Sequence, residues 1–338
     1  MRRDVAVIGA SAGGIPALRV LVSRLPDHHP GCVLVAVHMT GGVRSLLAEV
    51  LSKAGPLMAR LGEDGDPIRP GEIIVAPPDH HLLVYGGTMR VTRGPRENGF
   101  RPAIDSLFRT AARSHGPRVV AVVLSGLLSD GAWGLQEVKR LGGTTVVQDT
   151  HEALFPSMPL AALRAACVDH ELPAAAIGDL LASLSEDSEP VETVGAGRIQ
   201  NDRAERGTDE LAGETEESSA YGLTCPECGG TLLESDPHRG RYTCHVGHAY
   251  SRDALLLNHD DAVERALWAA LRSLRESALL RRTMASRARE GGLDGLAQRY
   301  EARAREAQER ADAIREVLTT GPPTAEATRR KGVGAGQP

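Results

Sequence analysis

Three polar residues stand where acyl transfer could be built. Ser11 lies in Gly9-Ala10-Ser11-Ala12-Gly13-Gly14, a Gly-x-Ser-x-Gly with one further glycine. Small residues around a serine let a chain turn sharply from strand into helix and lift the hydroxyl to the sheet's carboxyl edge. His38 ends the apolar run Val33-Leu34-Val35-Ala36-Val37, and Asp130 follows Val119-Val120-Ala121-Val122-Val123-Leu124 through Ser125-Gly126-Leu127-Leu128-Ser129. By type these are a nucleophile, a general base to take its proton, and a carboxylate to hold the imidazole tautomer and stabilise imidazolium. Backbone N–H groups of Ala12 and of the Leu127-Leu128 turn are oxyanion-hole candidates. A dinucleotide loop fits less well, because that fingerprint wants glycine where Ser11 stands and an acidic residue where His38 stands. His80 and His81, after Pro77-Pro78-Asp79, are the nearest rivals for the base and read as rim or binding residues.

A second set of chemical groups lies late in the chain. Cys225-Pro226-Glu227-Cys228-Gly229-Gly230 is a metal knuckle, with two thiols across a turn that glycine permits. Cys244 and His248 add a Cys-x-x-x-His half-site. Three thiolates and one imidazole make a closed tetrahedral zinc site, structural because no position is left for water. His245 is the rival fourth ligand. A redox Cys-x-x-Cys would need a βαβ context that is missing here.

The elements that must position these groups follow from periodicity. Val5 to Ile8 reads as a buried strand, and Pro16 with Ala17 to Val22 as the next helix. Further on the pattern predicts a helix over 43–53, a strand over 72–76, and a hairpin of 81–85 and 89–92 around Gly86-Gly87. A helix over 102–114 places Asp105 in its first turn. The strand 119–124, helix 134–141, strand 144–148 and helix 159–166 complete the alternation. This order predicts an α/β fold with a mostly parallel sheet and flanking helices. Such sheets bind ligands outside the strands' carboxyl ends, where Ser11, His38 and Asp130 would converge.

The 338 residues suffice for two domains. A net charge of −5 argues against a nucleic-acid binder, which would carry a basic face. No apolar run reaches the ~20 residues of a membrane span, so no membrane insertion is expected. The N-terminus enters a strand at once, without a signal-peptide core, which implies a cytoplasmic protein. Three of the five cysteines are clustered late, which favours a metal over disulfides.

Residues 185–220 are acidic and lack apolar periodicity. They read as a flexible linker spanning on the order of 35 Å, able to tether without fixing geometry. Residues 221–252 read as a zinc-ribbon-like module. Residues 253–320 read as a helical hairpin broken at Gly291-Gly292, and 321–338 as a disordered tail. Ala262, Ala266, Leu267, Leu271, Leu274, Leu279 and Leu280 form the first helix's apolar stripe. A coiled-coil dimer or a receptor-docking surface is the alternative use of that stripe.

Residues 1–184 resemble the catalytic domain of the CheB family, the protein-glutamate methylesterases of bacterial chemotaxis. The resemblance rests on Gly9 to Gly14, Val37-His38-Met39, Glu63-Asp64-Gly65, Ile74-Val75-Ala76-Pro77, Arg101-Pro102-Ala103-Ile104-Asp105, Leu124-Ser125-Gly126 and Ser129-Asp130-Gly131-Ala132, in family order. It implies a Ser-His-Asp triad at Ser11, His38 and Asp130, with no catalytic cofactor. The implied substrate is methylated glutamate on cytoplasmic chemoreceptor helices, the products glutamate and methanol, with glutamine deamidation as a second activity. Three positions depart from the family pattern: Ala12 for Thr, Thr40 for Pro, and Gly126-Leu127-Leu128 for Gly-Met-Gly. Leucine resists positive φ, so an altered oxyanion turn is expected at Leu128. Regulated members carry an N-terminal receiver domain, for which this chain has no room. Constitutive activity, or control through the second half and chemosensory proteins bound there, is therefore expected. The alternatives are a non-catalytic chemosensory adaptor, or a serine hydrolase acting on another ester.

Overall fold

The computed structural model describes residues 2–38, 45–186, 222–236 and 240–320. Most of the acidic linker, the 321–338 tail, Thr40 and the start of the helix predicted over 43–53 lie outside these.

The first unit spans Met1–Leu256. Its runs of Val, Ile and Leu form strands buried on both faces, as a parallel sheet covered by helices requires. The order is β1 (Val5–Ala10), α1 (Gly14–Val22), β2 (Cys32–Val37), α2 (Leu47–Ser52), β3 (Met58–Leu61), β4 (Glu72–Val75) and the hairpin β5 (His81–Tyr85) with β6 (Thr88–Thr92). Then come α3 (Ile104–His115), β7 (Val119–Val123), α4 (Ala132–Arg140), β8 (Thr144–Gln148), α5 (Ser157–Ala165), β9 (His170–Leu172) and α6 (Ala174–Glu186). Seven strands pair in parallel in the order β3-β4-β2-β1-β7-β8-β9. One core face packs on α1, α2 and α6, the other on α3, α4, α5 and the hairpin. The short β3 and β9 carry too little pattern to be read in sequence. Helix α6 runs to Glu186, past the expected start of the linker.

The chain leaves β1 toward β2 on one side and returns to β7 on the other. The crevice outside β1 and β7 is therefore the sheet's topological switch point, the expected ligand position.

After the undescribed stretch, β10 (Leu232–Asp236), β11 (Arg241–Cys244) and β12 (Ala249–Ser251) form a small antiparallel sheet. A linker able to tether without fixing geometry left this module's placement open. The structure seats it on the α/β domain: Glu97 bridges Ala249, and the Asn98 N–H donates to the Ala249 carbonyl at 2.7 Å. Arg241 reaches Glu97 at 3.3 Å and lies over the Trp133 ring at 4.0 Å.

The second unit, Leu257–Pro338, holds most of α7 (Arg252–Glu290) and all of α8 (Asp294–Thr320). The turn between them is at Gly291-Gly292, with Gly292 at φ 71°. Its buried residues are mostly small: Leu271, Ala278, Ala285 and Ala288 on α7, and Ala297, Ala304, Ala307 and Ala311 on α8. Of the expected stripe, Leu271 is buried and Ala262, Leu267 and Leu274 are half-buried, but Ala266, Leu279 and Leu280 are exposed, and alanines let the backbones approach instead. Among the described residues no helix is long and apolar enough to cross a membrane.

Candidate active site

Ser11 is lifted from β1 by a tight elbow. Gly13 takes φ 69°, and a Cβ there would lie 2.9 Å from Leu154, Phe155 and the Ser125 hydroxyl. Glycine is therefore required on two counts, conformation and space. Ser125 ties the elbow down: its hydroxyl donates to the Ala12 carbonyl and accepts the Phe155 N–H, both at 2.9 Å.

The three residues expected to converge do so, each from a different strand end. The Ser11 hydroxyl lies 3.2 Å from His38 Nδ1, and His38 Nε2 lies 2.7 Å from Asp130 Oδ2. With the imidazole proton on Nε2 donated to Asp130, Nδ1 is left to accept from Ser11. His38 is nearly enclosed, and Phe100 stacks on its ring at 3.6 Å between centroids. A stacked ring excludes water from one imidazole face and restricts the ring's rotation.

Asp130 is fully buried, and its oxygens meet donors on every side. Oδ2 accepts from Ile104 N–H at 2.7 Å as well as from His38. Oδ1 accepts from Asn98 Nδ2 at 3.0 Å and from the Asp105 and Gly131 N–H groups at 3.1 Å. Two of these donors are the first N–H groups of α3, so the helix N-terminus faces the carboxylate and favours its charge. Burial alone would raise the Asp130 pKa, but the hydrogen bond and charge of His38, then Ile104 and Asn98, outweigh it and leave it lowered.

The neighbouring Asp105 moves the opposite way. Burial, then the charge of Asp130, raise its pKa, while the Gly134 N–H bond works against the rise. Like charges in one buried site push the pKa values of the two carboxyls apart, up for Asp105 and down for Asp130. This pairing was hidden in the sequence, where Asp105 read only as an early helix residue. Asn98, which donates to both carboxylates, lies in an Asn-Gly step that signals only a turn.

The rivals for the base fall away. His81 is buried, its Nε2 donates to the Pro95 carbonyl, and Nδ1 accepts from Ala103 N–H. His80 bonds the Pro78 carbonyl.

The 126–128 turn abuts the serine: a Cβ at Gly126 would lie 2.9 Å from the Ser11 Cβ. The expectation that Leu128 would resist positive φ is corrected, since it adopts φ 70°. The surrounding turn imposes a conformation that costs an L-residue ~1–2 kcal/mol. Leu128→Gly should therefore raise stability by ~0.5–1 kcal/mol, after glycine's extra unfolded-state entropy is subtracted. A urea midpoint that falls instead would show that the leucine side chain contributes more than the strain removes.

Cys225, Cys228, Cys244 and His248 form the other cluster, with ligand atoms all within 4.8 Å of one another. Sγ of Cys228 and Cys244 are 3.6 Å apart, and His248 Nδ1 is 3.6 Å from Cys225 Sγ and 3.5 Å from Cys244 Sγ. Tetrahedral bonds of about 2.3 Å to sulfur and 2.0 Å to nitrogen imply edges of about 3.5–3.8 Å, so the set fits a metal ion. His248 Nε2 faces Glu227 at 3.3 Å, the carboxylate partner that commonly orients a ligating imidazole. His245 is not part of the cluster.

Comparison with known proteins bears on the α/β domain that carries this site. The chain is 41% identical over 159 residues to protein-glutamate methylesterase/protein-glutamine glutaminase 4 of Myxococcus xanthus, covering 47% of this chain and 45% of that one. It is 40% identical over 183 residues to protein-glutamate methylesterase/protein-glutamine glutaminase 3 of Anaeromyxobacter dehalogenans, with 54% of each covered. The chain thus spans about half the length of the curated relatives it matches. The crystal structure of the Thermotoga maritima CheB methylesterase catalytic domain superposes with a TM-score of 0.52 at 31% identity, over 54% of this chain and 100% of that one. A family model described as CheB methylesterase matches residues 6–181, and with the site geometry it places this chain in the CheB methylesterase family.

Proposed function

We propose that the protein hydrolyses methyl esters of glutamate side chains on chemoreceptors, and deamidates receptor glutamines by the same route. The observation that carries this is the hydrogen-bonded chain Ser11–His38–Asp130 at the switch point of a CheB-family sheet. Ser11 attacks the ester carbonyl while His38 Nδ1 takes its proton. Nε2 then shares the imidazolium charge with Asp130. The proton returns from His38 to the leaving methoxide, methanol departs, and water repeats the sequence on the acyl-enzyme. A glutamine substrate would release ammonia at the same step.

The Ser11 N–H is committed to the Ser125 carbonyl and the Gly126 N–H to the Phe155 carbonyl. The oxyanion is left to Ala12 and the Leu127-Leu128 turn, each donor worth ~3 kcal/mol in the transition state. Methanol release from methylated receptor membranes tests the reading. An active Ser11 with no methanol released would move it to another ester.

The organisation that supports this activity is a catalytic domain over 1–184, a metal module over 221–252 and a helical hairpin over 253–320. Zinc is the metal the donor set suits best, three thiolates and one imidazole. It would hold so short a module together, contributing ~10 kcal/mol or more to the folding of that part. A chelator titration should release zinc as the module's sheet is lost. Retention of the Tyr250 environment after complete metal removal would show that the fold stands without it.

A further inference from the structure

The module's last strand reaches the buried Asp105 and Asp130 through the side chain of Asn98. Asn98 is 5% exposed and held at φ 54°, a left-handed conformation that asparagine tolerates better than most residues. Its Nδ2 donates to Asp105 Oδ2 and Asp130 Oδ1, both at 3.0 Å. Its Oδ1 accepts the N–H of Ser251 at 2.8 Å, and its backbone N–H donates to Ala249. The Ser251 hydroxyl meets that of Ser129 at 2.9 Å, beside Asp130.

An amide flanked by two carboxyls and one N–H has a single satisfying orientation. The N–H of Ser251 anchors the oxygen, which aims the two amide hydrogens at the carboxyls. Without that anchor the amide oxygen loses its partner and the amide is held less firmly, so its donor bond to Asp130 weakens. Ser251 stands three residues after the ligand His248, on a strand paired with the one that carries Cys244. The buried Glu97 beside Asn98 strengthens the seat. Burial opposes its charge, but Arg109 and then Arg241 overcome this and hold its pKa down to about 2.

We infer that Asn98 is a positioning residue for Asp130, and that the metal module sets it through the Ser251 N–H. Metal occupancy is thereby coupled to the reactivity of Ser11. The inference rests on the esterase reading for its substrate, but not for its test. A fluorophosphonate labels an activated serine whatever ester the protein turns over.

The full-length chain and Asn98→Ala are compared with metal bound and after chelation. The readouts are the Ser11 labelling rate, kcat and KM for methanol release, and the NMR resonance of the His38 Nε2 proton. Stripping metal from the wild type should slow labelling about tenfold or more, the scale of a lost hydrogen bond to a charged group. It should also shift or broaden the Nε2 proton. Asn98→Ala with metal bound should show the same loss in labelling and kcat with KM unchanged. Chelating the variant should then add less than about twofold, because both changes remove one interaction. Ser251→Pro deletes the N–H from the module side and should reproduce the loss should Asn98→Ala prove unstable, while Ser251→Ala, which lacks only the hydroxyl bonded to Ser129, should not.

The inference is overturned if labelling and the Nε2 proton are indifferent to metal. Losses that multiply instead of coinciding, or full reactivity in protein that binds no metal, overturn it equally. Methanol release absent alongside the expected labelling pattern would refute the substrate reading and leave the coupling standing.

Discussion

Ser11→Ala is expected to lower kcat for methanol release about a million-fold, the scale seen when a triad nucleophile is removed. Among the described residues the hydroxyl's one side-chain partner is His38 Nδ1 at 3.2 Å. Its removal leaves one enclosed acceptor, His38 Nδ1, short of a partner, at a cost of ~1 kcal/mol. Binding of the receptor helix should survive, so KM should hold while kcat collapses, and stability should fall by only ~1 kcal/mol. A variant keeping more than a thousandth of wild-type turnover would mean that Ser11 is not the nucleophile.

Asp130→Asn is expected to cost about ten-thousand-fold in kcat, through the imidazole tautomer. An amide oxygen could still accept one N–H, but the NH2 group must face donors whichever way it is turned. Placed at Oδ2 it meets His38 Nε2–H and Ile104 N–H; placed at Oδ1 it meets Asn98, Asp105 and Gly131. The first arrangement forces the His38 proton onto Nδ1, where it can no longer accept from Ser11. The second leaves buried N–H groups opposed, at a cost of ~1–3 kcal/mol each. Activity and stability should therefore fall together, stability further than in Ser11→Ala. An unaltered denaturation midpoint in Asp130→Asn would show that these donors find other partners. Near-normal turnover would remove Asp130 from the mechanism.

The two effects differ because the residues sit differently. Ser11 projects from an elbow into the site, whereas Asp130 is a node that joins β7, α3 and the Asn98 loop. The charge on Asp130 is kept by the donors that surround it.

The sequence by itself determined the buried strands, the elbow at Ser11 and the candidate triad. Runs such as Val33 to Val37 and Val119 to Leu124 are too apolar to lie anywhere but inside a sheet, and that chemistry is local. The Cys-x-x-Cys and Cys-x-x-x-His spacings likewise pointed to the four residues that cluster, Cys225, Cys228, Cys244 and His248. Strand order, and with it the meeting of residues 11, 38 and 130, came only with tertiary structure. The short β3 and β9 were invisible because three or four residues carry too little periodicity.

Asn98, Asp105 and Phe100 gained their roles from neighbours distant in sequence. An Asn-Gly step and an early helix aspartate look alike wherever they occur. The left-handed φ at Leu128 was disfavoured by its side chain and imposed by the turn around it. The seat of the metal module was equally beyond reach, because the stretch before it carries no pattern to position it. Bonds from Ser251 and Ala249 to one asparagine decide that placement, and such pairings exist only once both surfaces have folded.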